Sequence, residues 1–523
     1  MSTLGQAKTK RLLAVHGWSG TVLGLLLYVC VFTGSIVVFE DEIDTWAQGI
    51  VEHHDTLGAR VDHHFRVAAR DVDRRYYEDV QIFRLPDGNM QYLFHTHETD
   101  AETGRIVEPT VHITVDGESG VVVDRWEGLR GERPPAPGSA LRDFWVDLHV
   151  QLYLPNPYGL ILVGALGLMM MAAAISGILI HKHLFRDAFV SARNRTRLVG
   201  ARDLHVLAGS WGLPFALILA FTGAFFGFAG PVGVPMMAQA AFKGDRQALI
   251  ETVVGVPEEV DMTAAPLASL DYIIADAENR SSGEIQFIQI TNYDSADAKV
   301  RLRVSPPVGE LAPVVLGYEG VTRAFEGEKP IFGQSPSFGA SVFGIIGPLH
   351  FGNFAGLVSK TVWLGMGLAM AFVTASGLLL WTKRREDEPL WRGFRRVVML
   401  AVWGVPFAML VSAVVFFVTL PAGDPHVWTP MGFLLGVVIA VTLALRGQVM
   451  VERLRIANAS LCLTLPLLRH LTGGSSWSEA LIGGGLEILV IDILLILTGL
   501  ALLHKARKTS HEPQPSAVQE PAE

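Results

Sequence analysis

Apolar residues along this chain gather into long runs, and polar residues fill the stretches between them. The runs are Leu12–Phe39, Tyr158–Ile180, Leu204–Phe228, Val358–Trp381, Val397–Leu420, Met431–Leu445 and Ala480–Leu503. All but Met431–Leu445 reach the roughly 20 residues that a helix needs to cross a hydrocarbon core. The fifth and sixth make a hairpin through the turn Pro421–Pro430. A shorter run, Ile456–Leu468, is either a tight eighth span or an interfacial segment. The pattern predicts a polytopic α-helical membrane protein with seven or eight spans. The first run follows Lys8, Lys10 and Arg11, ends without a small-residue cleavage site and outlasts a signal-peptide core. It reads as a retained helix that also directs export.

Two long polar stretches, 40–147 and about 230–348, carry the other period. Val111-His112-Ile113-Thr114-Val115 alternates as a strand before Asp116-Gly117, and Val121-Val122-Val123 follows the turn. Gln286-Phe287-Ile288-Gln289-Ile290 and Val300-Arg301-Leu302-Arg303-Val304 alternate likewise. Each stretch is expected to fold as a small α+β domain. The tail 509–523, polar with Pro and Glu, is expected to be disordered.

Composition agrees with a membrane protein and removes other classes. The chain is 50% hydrophobic and 18% charged, with a mean hydropathy of +0.36; soluble proteins average about 25% charged. Cys30 and Cys462 both lie in apolar runs, which excludes a disulfide scaffold. A net charge of -9 without a basic domain argues against nucleic acid as a partner. Charge also sets orientation. Lys182, Arg186, Arg193, Arg195, Arg197 and Arg202 fill one connector, and Lys383, Arg384, Arg385, Arg392, Arg395 and Arg396 fill another. The N-terminus and both connectors are therefore expected in the cytoplasm, with the two polar stretches outside. Lys505, Arg507 and Lys508 also belong inside, which favours eight crossings, whereas Arg469 beside His470 counts against the short span.

The chain repeats itself once. His16 precedes Thr33-Gly34, and His205 precedes Thr222-Gly223, with a His-to-Gly separation of 18 residues in both. Leu148-His149 precedes Ser176-Gly177, and Leu349-His350 precedes Ser376-Gly377, at separations of 28 and 27. The unit is helix, exported domain, helix. His16 and His205 fall near the cytoplasmic ends of their spans, and His149 and His350 on the outer side, so a four-helix bundle brings two histidines together near each face. Paired across a bundle, imidazoles hold a b-type haem by both axial positions. Gly34, Gly177, Gly223 and Gly377 would admit a flat porphyrin. Two haems across roughly 30 Å of hydrocarbon make an electron path. Interfacial histidines and helix-packing glycines without any cofactor are the plainer reading. His181 and His183, at the end of the second run, rank second as ligands, because the repeat puts Trp381 opposite His181.

Other polar residues carry weaker signals. His53, His54, His63, His64, His95, His97 and His112 lie in the first polar stretch, but their spacings match no zinc pattern, so they read as solvated or strand-surface histidines. Glu487 and Asp492 fall inside the last run, where a carboxylate is expensive. They mark a proton, quinol or ion site, or else hydrogen bonds between helices. No dinucleotide loop, P-loop, HExxH or Ser elbow is present. A nicotinamide or flavin donor is thus expected to sit on another protein or to bind only transiently.

The motifs resemble those of the PepSY-associated transmembrane proteins, which include iron-regulated membrane proteins and bacterial inner-membrane ferric-siderophore reductases. The resemblance rests on His16-Gly17-Trp18 with Thr33-Gly34, on Asp147-Leu148-His149, and on His205 with Trp211-Gly212-Leu213-Pro214 and Thr222-Gly223. Leu349-His350-Phe351-Gly352 and Ser376-Gly377 through Trp381 to Lys383-Arg384-Arg385 complete it. Val115-Asp116 with Ser119-Gly120-Val121-Val122 looks like the terminal hairpin of a PepSY module. It covers about residues 10 to 385. It implies helix 1 over 1–40, PepSY-like periplasmic domains over 41–147 and 230–348, helices 2 and 3 over 148–229, and helix 4 over 349–385. Additional C-terminal helices over 386–508 complete the chain. It also implies a di-haem b conduit, ligated by His16, His149, His205 and His350, in the bacterial inner membrane. Electrons would come from a cytoplasmic reductase or quinol and go to a periplasmic ferric-siderophore or other ferric chelate. A homo-oligomer is compatible with this. Two alternatives follow from the same features: a membrane-anchored peptide-binding, protease-regulating or sensor protein without redox activity, and a transporter, since doubled bundles are also a transporter habit.

Overall fold

A computed structural model describes residues 5–51, 60–85, 87–100, 106–181, 189, 197–245, 248–249, 252, 260–306, 310–331, 333, 335–421, 423–446 and 450–511. His53, His54, His183, Lys182, Arg186, Arg193, Arg195 and the tail from 512 lie outside the described residues. Helices α1 (Gln6–Val22), α2 (Gly24–Val37), α3 (Glu40–Gln48) and α4 (Val61–Ala69) come first. Strands β1 (Asp79–Arg84), β2 (Met90–His95), β3 (Glu98–Thr99), β4 (Ile106–Val107), β5 (Pro109–Val115) and β6 (Val122–Leu129) follow. Then come α5 (Ala140–Gln151), α6 (Tyr158–Ile180), α7 (Arg197–Trp211), α8 (Leu213–Phe228), α9 (Val234–Phe242) and α10 (Leu270–Arg280). Strands β7 (Ile285–Thr291), β8 (Lys299–Val304), β9 (Val314–Glu319) and β10 (Phe325–Pro330) precede α11 (Phe338–Phe351) and α12 (Gly356–Lys383). The chain ends in α13 (Pro389–Thr419), α14 (Pro425–Leu445), α15 (Met450–Leu471), α16 (Trp477–Gly483) and α17 (Leu486–His511). These elements form two compact units: Met1–Ile50, Ala136–Gly227 and Val362–Glu523 in one, Val51–Pro135 and Phe228–Thr361 in the other.

Among the described residues six helices are long and apolar enough to cross a membrane, or seven if the bent pair α1–α2 is one span. The chain is a multi-pass membrane protein. Several bounds differ from the hydropathy reading. The first run is not one straight helix: it bends by 67° at Leu23. Ser19 and Thr21 turn their hydroxyls back onto the carbonyls of His16 and Gly17 just before the bend, which is how such residues bend helices. The sixth span is not short, because Pro425 opens it and gives it 21 residues; proline is well tolerated in a first turn, where its missing N–H is not needed. Its hairpin with α13 closes on Gly432 and Gly436, and a Cβ on Gly436 would come within 2.6 Å of Ala408 Cα. Ile456–Leu468 lies inside the 22-residue α15, which packs on α13 and α17.

The second unit is built on one eight-stranded antiparallel sheet in the order β10-β9-β8-β7-β1-β2-β5-β6. Alternation explains it: β8 reads half-buried, buried along its length, so one face is apolar and covered. The two polar stretches supply matching parts, α4 with β1, β2, β5 and β6, and α10 with β7 to β10. They do not keep separate cores. β1 and β7 pair edge to edge, and Phe65, Val80, Tyr92, Ile288, Leu302 and Tyr318 share one cluster. Joining the halves removes two apolar strand edges that would otherwise stay open.

The junction is close to a two-fold axis. Gln81 sits directly opposite Gln289. The second residue of each helix reaches across it: Asp62 accepts the Leu270 N–H at 3.1 Å, and Asp271 accepts the Asp62 N–H at 3.0 Å. Each carboxylate thus takes up an orphan donor at the start of the other half's helix. The terminal hairpins match too. Asp116 bonds Val121 and Gly120 through the backbone as Glu319 bonds Ala324 and Arg323. Gly120 and Arg323 both have a positive φ there, 71° and 66°.

These reciprocal caps give a test. Asp62→Ala and Asp271→Ala are each expected to cost about 1 kcal/mol of stability, and the Asn variants, which keep an accepting oxygen, much less. Thermal unfolding of the purified protein checks this; equal melting of the Ala and Asn variants would contradict it.

Candidate functional site

Three of the four repeat histidines lie in the first unit, and all three are held alike. His16 on α1 donates from Nδ1 to the Ala173 carbonyl of α6 at 2.9 Å. His149 on α5 donates from Nδ1 to the Cys30 carbonyl of α2 at 2.9 Å. His205 on α7 bonds the Val373 backbone of α12, with Ser376 Oγ at 3.0 Å from its Nδ1. In every case the carbonyl belongs to the residue four before a repeat glycine: Ala173 before Gly177, Cys30 before Gly34, Val373 before Gly377.

The glycines explain why the rings fit. A Cβ on Gly34 would lie 2.5 Å from His149 Cε1, one on Gly377 3.1 Å from His205 Cε1, and one on Gly177 3.5 Å from His16 Cε1. Instead of opening a flat wall, Gly34 and Gly377 let an imidazole lie against a neighbouring helix and reach its backbone, while a Cβ on Gly177 would make only ordinary contact with His16. Thr33 and Ser176 keep their hydroxyls on their own helices, bonded to Val29 and Ala172. The sequence reading named Ser176 and Ser376 only as parts of the repeat, and it assigned no partner to the histidines; the carbonyls that hold the rings went unassigned. Their signal was the fixed offset of four from each glycine.

A carbonyl oxygen only accepts, so Nδ1 carries the proton and Nε2 of the neutral ring carries the lone pair. The structure brings His16 and His205 together, with ring centres 6.4 Å apart and planes at 75°. Two imidazoles that bind one metal from opposite sides, each about 2 Å from it, have centres roughly 6 Å apart. His350 is the penultimate residue of α11, in the second unit, beside Phe351 at 5.6 Å between rings. His181 caps α6, and its buried Nδ1 has no hydrogen-bond partner among the described residues. Trp381, its counterpart in the repeat, packs edge-on to Trp18 at 5.4 Å and under Arg385 at 3.5 Å.

Asp492 takes the structural role that the sequence left as one of two readings. It is fully buried, pairs with the equally buried Arg469 at 2.9 Å, and accepts N–H bonds from Trp46 at 2.8 Å and Trp477 at 2.9 Å. It therefore ties α3, α15, α16 and α17 together, and it also explains how α15 carries an arginine. Glu487 is not deep in the last span: it lies in the first turn of α17, because α16 ends at Gly483. Its Oε2 is buried without a hydrogen-bond partner among the described residues.

The model of the family described as the PepSY-associated TM region matches residues 13–384. An uncharacterized protein of Pseudomonas aeruginosa is 28% identical over 267 residues, which cover 47% of this chain and 64% of that relative. The match thus spans less than two thirds of the relative's own length.

The Arg469–Asp492 pair sets an expectation for the C-terminal helices. Arg469→Met or Asp492→Leu alone leaves a buried charge unpaired and is expected to destabilise by about 3–5 kcal/mol. The double variant should recover most of the loss in thermal melts. Single variants as stable as wild type would show that the pair does not hold these helices.

Proposed function

Because the chain belongs to the family of the PepSY-associated TM region, we propose that it is a di-haem b electron-transfer protein of the bacterial inner membrane. His16 and His205 would hold one haem and His149 the second, with His350 the counterpart of His149 in the sequence repeat. The observation that carries this reading is the approach of the His16 and His205 rings to 6.4 Å between centres, with the Nδ1 of each tied to a neighbouring helix backbone. Backbone acceptors fix the tautomer and the ring direction, as partners of metal-bound histidines commonly do. At Gly34 and Gly377 the absence of a side chain leaves room for the ring to reach the neighbouring helix. Haem, when bound, supplies one-electron transfer between ferric and ferrous iron.

We read the two halves of the sheet as PepSY-like modules on the periplasmic side, and the N-terminus and basic connectors as cytoplasmic. The donor is then a cytoplasmic reductase or quinol, and the acceptor a ferric-siderophore or other ferric chelate. One-electron reduction of such an acceptor asks no acid, base or nucleophile of the chain. A peptide-binding role without redox activity is favoured by one feature, the solvent-exposed strand β6 at the sheet edge.

Visible spectroscopy of the full chain, purified after haem-replete expression, tests the proposal. Two b-type haems per chain are expected. His16→Ala, His205→Ala and Gly377→Leu should each remove the same haem, about half of the signal, and His149→Ala and Gly34→Leu the other. A colourless wild-type protein would overturn the reading.

A further inference from the structure

We propose that His95, His97 and Glu108 form a binding site for a divalent first-row transition-metal ion of the zinc and ferrous class, on the sheet of the second unit. This site is independent of the haem reading and shares no residue with it.

The placement follows from strand geometry. Positions 95 and 97 differ by two, so they point to one face of an extended chain. The β2–β5 register sets His95 opposite Thr110, and the β3–β4 register sets Glu98 opposite Val107. Position 97 therefore falls opposite 108, and the turn of this hairpin returns a carboxylate to the two imidazoles. One potential ligand atom from each of the three residues lies within 4.8 Å of the others, the only such group among the described residues.

Hydrogen bonding then decides what the cluster is suited to hold. His97 Nδ1 lies 2.8 Å from Glu78 Oε1, and a carboxylate there accepts, so Nδ1 carries the proton. Glu78 is itself fixed, since its other oxygen accepts from Thr96 Oγ1 at 2.7 Å and the His97 N–H at 2.9 Å. His97 Nε2 is left facing Glu108 Oε1 at 3.9 Å, two electron-pair donors turned toward each other. Arg130 holds the far oxygen of Glu108 at 2.7 Å and so aims the near one. His95 stands beside them with its ring 5.5 Å from that of His97. It is only 2% exposed, yet its Nδ1 is buried with no hydrogen-bond partner among the described residues. Its cross-strand partner Asp79 also buries an unbonded oxygen, which adds negative charge behind the ring.

A carboxylate–histidine pair behind a facing lone pair is the arrangement that orients metal-bound histidines. Two imidazoles and one carboxylate suit zinc and ferrous iron, and three protein ligands leave coordination positions for water or a ligand. His97 and Glu108 are partly exposed, so an ion can enter and leave from solvent. The rival account is a protonated His97 bridging Glu78 and Glu108 with no metal at all.

The test titrates the full chain in detergent, stripped with chelator, with Zn²⁺ alone, by calorimetry and by competition with a zinc-sensitive dye. One equivalent is expected in wild type. Binding should weaken at least about 100-fold in His97→Gln and Glu108→Gln, and by about 10–100-fold in Glu78→Gln. The same equivalent should persist in a His16→Ala/His205→Ala background, which separates this site from the haem ligands. Because His97 and Glu108 are at the surface, these variants test ligation without disturbing the buried His95. Co²⁺ provides a second readout, with visible bands that change in His97→Gln. Wild type that binds no Zn²⁺, or binds it equally in His97→Gln and Glu108→Gln, would overturn the proposal in favour of the ion-paired imidazolium.

Discussion

An imidazole among apolar helices must give its N–H to something, and here it gives it to a helix backbone. The main-chain carbonyls of a helix are already engaged, so a second donor reaches one only where no side chain stands in the way. Glycine four residues further on provides that opening at Gly34 and Gly377. The constraint runs in both directions: the glycine is needed because of the histidine, and the histidine is oriented because of the glycine. The direction of the His149 and His205 rings follows from that contact. Deeper in the same unit, Arg469 and Asp492 obey the companion rule that a buried charge persists only with a partner.

The second unit follows the same logic with a different backbone. Its eight strands pair in one sheet, and its helices α4 and α10 begin against each other's carboxylates. Internal repetition thus acts twice in the chain. Among the helices it presents like residues to like glycines; in the sheet it produces two halves that dock through their equivalent first strands.

Much of this was legible in the sequence. The apolar runs, the alternating strands and the repeat each correspond to a physical period, and a period survives in a single sequence. The four histidines stood out because their spacing recurred, without any knowledge of what they touch. Less was visible where the deciding interaction is between distant segments. Leu23 gives no sign of a bend in the sequence. Pro425 and Pro430 looked like a turn and proved to be the first turns of a helix. Nothing in β1 or β7 names its neighbour, so two domains were expected where one sheet forms. His95, His97 and Glu108 fit no metal motif because the third group arrives through a hairpin register.

The β1–β7 pairing has a consequence for how the chain is made. Asp79 and Thr291 can pair only after α6, α7 and α8, which lie between them in the chain, have been made. Two intervening crossings return the chain to the side it left, which is the parity that a shared sheet demands. Until then the first half waits with an open strand and half a core. Pairing across so great a sequence separation is intrinsically slow. The sheet is therefore expected to be the slow-forming part of the fold, since its two halves meet only across that long separation.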